Sequence, residues 1–115
     1  MYKHFNISDF RCRETQQCEM KPEFIHMLDE LRERCNFPFA ITSGYRATTH
    51  SIEIRKSQPG THTEGIAADI AVANGHERML IVKEALHMGF SGIGVAKSFV
   101  HVDIRTTTPV MWVYG

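Results

Sequence analysis

No stretch of the 115 residues approaches the roughly 20 consecutive apolar positions needed to span a bilayer, so no transmembrane segment is expected. The opening MYKHFNISDF has neither a basic start nor a continuous apolar run of about 7–15 residues, and no signal peptide is read there. An excess of charge of one sign is also missing. Thirteen Lys plus Arg stand against 13 Asp plus Glu, which leaves no electrostatic footprint for nucleic acid or an anionic membrane, although seven His make the balance sensitive to pH. Cysteine is scarce: Cys12, Cys18 and Cys35 form an odd set without a C-x-x-C pair, which argues against a closed structural zinc site built from them. Cys12 and Cys18 keep two readings, a disulfide or reduced thiols. There is no G-x-S-x-G elbow, no glycine-rich phosphate loop, no H-E-x-x-H and no i, i+4 His pair, so serine-hydrolase and nucleotide-binding chemistries lose their support. Repeats and Pro/Ser-rich linkers are absent too, and residues 1–115 read as a single domain.

What is present alternates between two periods. Pro22 suits a first helical turn, and Phe24, Met27, Leu28 and Leu31 recur at helical spacing, predicting a helix from Pro22 to about Arg34. A strand is expected over Phe39 to Thr42, turning at Ser43 and Gly44 and ending near Arg46. From Ala47 to Thr63 the chain is polar and without period, a long loop of the kind that tends to carry function. GIAADIAV then reads as a buried strand. His76 to Met88, with Met79, Leu80, Val82 and Leu86, reads as a helix stopped by Gly89. Three short strands follow, near Gly92 to Val95, Phe99 to Ile104 and Val110 to Tyr114, and their short links predict antiparallel pairing. The sum is an α+β domain with helices packed on one face of a mainly antiparallel sheet.

An acid inside an apolar strand costs free energy unless it is paired or bound to a metal, so Asp69 needs a partner. His62, at the end of the polar loop, comes within reach if the chain turns at Glu64-Gly65. In FVHVDIR, strand alternation puts Phe99, His101 and Asp103 on one face and Val100, Val102 and Ile104 on the other. Two imidazoles and a carboxylate match the open, three-ligand zinc site of hydrolases, with bonds of about 2.0–2.2 Å. A hydrogen-bonded structural His, with Asp69 paired to Arg46 or Arg105, is the alternative.

The run Thr61-His62-Thr63-Glu64-Gly65-Ile66-Ala67-Ala68-Asp69 resembles the H-x-x-G-x-A-x-D signature of zinc D-alanyl-D-alanine carboxypeptidases and related murein endopeptidases. SGYR at Ser43 to Arg46, GIGV at Gly92 to Val95 and FVHVD at Phe99 to Asp103 resemble that family's other motifs in the same order. The likeness covers about Cys12 to Arg105. It implies a fold of the hedgehog/D-Ala-D-Ala-peptidase type and one zinc ion held by His62, Asp69 and His101. The implied substrate is a bacterial peptidoglycan stem peptide. Arg46 takes, by the same resemblance, the role of binding a substrate carboxylate or the transition-state oxyanion; Ser43 of the same motif and, from its place in the polar loop, Gln58 are further substrate contacts.

Two positions depart from the pattern. Where many members carry a Glu or Asp three residues before the last His, this chain has Ser98, and Gly60 stands where a Ser is common. Asp103 is the nearest substitute carboxylate, as the catalytic base, as the group holding the His101 ring, or as a further metal ligand. Glu64 reads as a solvated turn residue, His50 as an exposed loop residue, and Trp112 and Tyr114 as packing. The expected function is a zinc metallopeptidase acting on peptidoglycan as D,D-carboxypeptidase or endopeptidase. A monomer is expected, made in the cytoplasm and delivered to the wall as a phage lysis or tail-associated enzyme would be. The alternative is a zinc-stabilised wall-binding module without turnover.

Overall fold

The structure is a computed structural model and describes residues 2–15, 17–45 and 60–115. Among them, a short 3-10 turn (Ile7–Phe10) precedes helix α1 (Pro22–Cys35), strands β1 (Ile41–Ser43) and β2 (Ala67–Ala71), helix α2 (Gly75–Met88), and strands β3 (Gly92–Val95), β4 (Phe99–Asp103) and β5 (Val110–Val113). Pro22 opens α1 as expected, because a first-turn residue needs no amide hydrogen. The helix runs one residue further than its period suggested and ends where Asn36 turns left-handed. At α2 the side chain of Asn74 accepts from the Glu77 amide while the Glu77 carboxylate accepts from Ala73 N, so two otherwise orphaned donors are satisfied.

The five strands lie in the order β1-β2-β4-β3-β5. The first three pairings are antiparallel, but β5 lies parallel to β3, opposing Trp112 to Gly94, so the sheet is mixed. The expectation that the last strands pair through their short links therefore holds for β3 with β4 and fails for β4 with β5. Both edges of β4 are already taken by β2 and β3, and the chain from β4 returns along the free edge of β3.

Strand alternation sorts the sheet into two faces. Ala68 and Ile70 of β2, Val100 and Val102 of β4 and Ile93 of β3 pack with Phe24, Ile25, Leu28 and Leu31 of α1 and with Ile81 and Ala85 of α2. The helices thus cover one face. On α2 the burial falls on Ile81 and Ala85, whereas Met79 and Leu86 are 66% and 56% exposed, so part of the apolar pattern read for this helix faces outward. The opposite face carries Asp69, His101 and Asp103, all buried. Cys12, Cys18 and Cys35 are thiols and form no disulfide. No helix among the described residues is long and apolar enough to cross a membrane.

Candidate metal centre

The centre is assembled by β2, β4 and the turn that precedes β2. Antiparallel pairing sets Asp69 directly opposite His101, so the two side chains rise from neighbouring strands on one face. His62 arrives from the turn over residues 61–65, in which Glu64 N bonds Gly60 O and Gly65 N bonds His62 O. Gly65 sits at φ +75, and a Cβ there would stand 2.2 Å from Glu19 O, so this reversal requires glycine. The turn is also anchored from outside, because Lys21 N donates to Gly65 O at 2.9 Å.

Both imidazoles have their tautomers fixed from behind. His62 Nδ1 lies 2.7 Å from the Gly44 carbonyl oxygen, which can only accept, so the proton is on Nδ1 and the Nε2 lone pair faces inward. His101 Nε2 lies 2.7 Å from Asp103 Oδ2, which places its proton on Nε2 and turns the Nδ1 lone pair toward Asp69. Asp69 Oδ1 is then 3.0 Å from His101 Nδ1 and 3.3 Å from His62 Nε2. Lone pairs facing at such distances repel unless a proton or a cation lies among them. The spacing is close to the edge of about 3.3 Å of a tetrahedron with bonds of about 2.0–2.1 Å. The three donor atoms lie within 4.8 Å of one another, and two nitrogens with one carboxylate oxygen are a donor set suited to zinc with a position left open.

Electrostatics follow from this geometry. Burial alone would raise the Asp69 pKa, but the close approach of His101 and His62, which favours a proton shared among them over one on the carboxyl, outweighs it and holds the carboxyl well below its usual range. Burial likewise works against protonated His101, yet Asp103 and Asp69 prevail and raise its pKa. Asp103 has no exposed surface. It accepts from His101 Nε2 and, at 3.1, 2.9 and 2.6 Å, from Arg105 N, Nε and Nη2, and these bonds overcome burial and keep it ionised.

A cleft of about 560 Å³ opens onto the centre, lined by His62, Asp69 and His101 together with Glu64, Arg105 and Trp112, among others. Asp103 is not part of its lining and sits behind His101. Arg105 pairs with Asp103 and lies over the Trp112 ring at 5.0 Å. Ser43, on β1, is in register with Asp69. Ser98 is exposed in the turn before β4. Arg46, His50 and Gln58 lie outside the described residues, as does most of the long loop. Sequence reasoning missed the cleft positions of Trp112, Tyr114 and Arg105. Alternation in VMWVY already put Trp112 and Tyr114 on one face; the missing information was which strand β5 joins.

The sequence profile described as Peptidase M15 matches residues 3–103, nearly the whole chain, and the protein belongs to this family of zinc D-Ala-D-Ala carboxypeptidases. No curated protein matches the sequence.

Proposed function

We propose that this M15 zinc metallopeptidase hydrolyses peptide bonds of peptidoglycan stem peptides, as a D,D-carboxypeptidase or an endopeptidase, with one zinc ion held by His62, Asp69 and His101. The observation that carries the reading is the pair of inward imidazole lone pairs, each fixed by a hydrogen bond behind it, converging on one carboxylate oxygen at the floor of an open cleft. Zinc in such a site supplies a Lewis acid that polarises a carbonyl and lowers the pKa of water to about 7.

The chain's own residues do the rest. Gly44 O and Asp103 hold the two rings so that neither needs to reorient when the ligand atoms are used. Asp103 is assigned to this positioning role rather than to proton transfer from water, because its carboxylate is enclosed and engaged by four donors. Arg46 is assigned to the substrate carboxylate or to oxyanion charge and Ser43 to a substrate contact, roles that rest on the SGYR motif, and Gln58 to a substrate contact from its place in the polar loop. Delivery to the wall by phage lysis or tail machinery belongs to the same proposal.

The test is incubation of the zinc-loaded protein with purified muropeptides, followed by separation of products. New amino termini or released D-Ala, abolished by chelation and restored by zinc, are expected. Retained wall binding with no product would favour the turnover-free module, which the serine at position 98 speaks for.

A further inference from the structure

One wall of the cleft has a composition that metal ligation does not explain. The parallel return of β5 sets Trp112 beside Gly94, where a Cβ would stand 2.6 Å from Trp112 Nε1 and 2.8 Å from the Tyr114 ring. The missing side chain lets the indole settle against the sheet, its centroid 5.0 Å from the His101 ring. Arg105 lies over the same indole, 5.0 Å from the ring centroid to its guanidinium carbon.

The guanidinium is held by two fork contacts, Nε to Asp103 Oδ1 at 2.9 Å and Nη2 to Oδ2 at 2.6 Å. A guanidinium has five N–H donors, so this clamp leaves three, two of them side by side on the Nη1–Nη2 edge. Among the described residues the ion pair of Arg105 is with Asp103 alone; Glu64, across the cleft, raises its pKa only through space, after the Asp103 hydrogen bond and against some burial. Thr106 and Thr107 line the cleft next to it and bring hydroxyl donors, while Phe99 and Tyr114 add aromatic surface. Pinning so long a side chain costs rotamer entropy. The clamp and the stack offset that cost and present a flat, pre-aimed cation whose shape matches a carboxylate. Because Asp103 also holds His101, this cation has a fixed place relative to the metal centre.

We infer that Arg105, seated on Trp112 and flanked by Thr106 and Thr107, is a binding subsite for a second peptide carboxylate, one that is not at the bond being cut. This deepens the proposed function and rests on it: the substrate class is a stem peptide with an acidic residue near the scissile bond, and amidation of that acid is what the subsite discriminates against.

The experiment is calorimetric binding of synthetic stem peptides to the zinc-loaded protein, each peptide compared with versions in which one carboxylate at a time is amidated. One amidation is expected to weaken binding about tenfold, equivalent to about 1.4 kcal/mol. Arg105→Ala should bind the acid and the amide equally weakly, bringing the acid-to-amide ratio to about one. Since Arg105→Ala also releases Asp103, zinc content is measured alongside, and Trp112→Leu, which leaves the Asp103 clamp in place, should reduce the acid-to-amide ratio to about threefold. A full ratio in both variants, or no amidation that matters in the unaltered protein, overturns the subsite while leaving the peptidase reading standing. Absence of any binding or cleavage of stem peptides overturns that reading and the subsite with it.

Discussion

Asp103→Asn separates positioning from proton transfer. The substitution keeps the volume of a fully enclosed side chain and removes its charge. Four donors now meet the carboxylate, so the carboxamide would turn its NH₂ toward at least one of them. Breaking a buried charge pair by altering one partner costs about 3–5 kcal/mol. The Arg105 side chain is 25% exposed and recovers part of this from water, which suggests about 2–3 kcal/mol. For a domain of this size such a loss lowers Tm by about 10–15 °C. Loss of the carboxylate behind a ligating imidazole further weakens metal affinity by about 10–100-fold. Thermal melts with and without zinc, chelator competition and turnover at saturating zinc report the three effects separately. A variant with unchanged Tm and zinc affinity, but with turnover lost, would refute the positioning argument and make Asp103 the proton acceptor.

Three further outcomes follow from the same geometry. Without metal, the raised His101 pKa contributes stability that is complete below its unfolded value of 6.5 and is lost as pH rises through the folded value, while the depressed Asp69 and Asp103 contribute above 3.8 and lose it as pH falls. Metal-free protein should therefore melt highest between those two values, and the Tm increment from zinc should grow with pH as His101 releases its proton, both read by melts across buffers. Gly92→Ala places a Cβ 2.2 Å from both Asp103 carboxylate oxygens, so a loss of about 1–3 kcal/mol with reduced zinc content is expected. Gly75→Ala, whose nearest neighbour would be Arg78 Nη1 at 3.6 Å, should be neutral or stabilising in the same melt and titration. Burial, with help from Glu84, pushes the Cys35 thiol from 9.0 up to about 11, about 100-fold less thiolate than an unshifted thiol at neutral pH. Ellman's reagent should label Cys35 only after denaturation.

Much of this arrangement was legible from local chemistry. Pro22 and Gly89 marked helix ends because their backbone requirements are their own, and β3 lay where the period-2 pattern put it. Alternation alone put His101 and Asp103 on one face, and the Glu64-Gly65 turn brought His62 to Asp69. Long-range relations were harder to read. Nothing local to VMWVY says that β4 has no free edge, so the parallel pairing of β5, and with it the cleft wall at Trp112, depended on the whole strand order. Met79 and Leu86 fit the helical period of α2 equally well whether they face the sheet or solvent, and only the packing of Ile81 and Ala85 decides between them. Asp103 showed its face but not its depth: whether it opened to the cleft or closed behind His101 depended on where Arg105 settled.

The two paired strands at the middle of the sheet carry two messages interleaved at single-residue pitch. On β2 and β4 the odd-numbered positions Asp69, His101 and Asp103 build the candidate metal centre, and the even-numbered Ala68, Ile70, Val100 and Val102 pack. The apolar set can repack without touching the donor atoms, whereas changes to Asp69, His101 or Asp103 act on stability as well as on chemistry. A one-residue insertion or deletion has no such freedom, since it would drive an imidazole and a carboxylate into the apolar core and lift valines into the cleft. Such frameshifts within these two strands should be lethal to folding and function together.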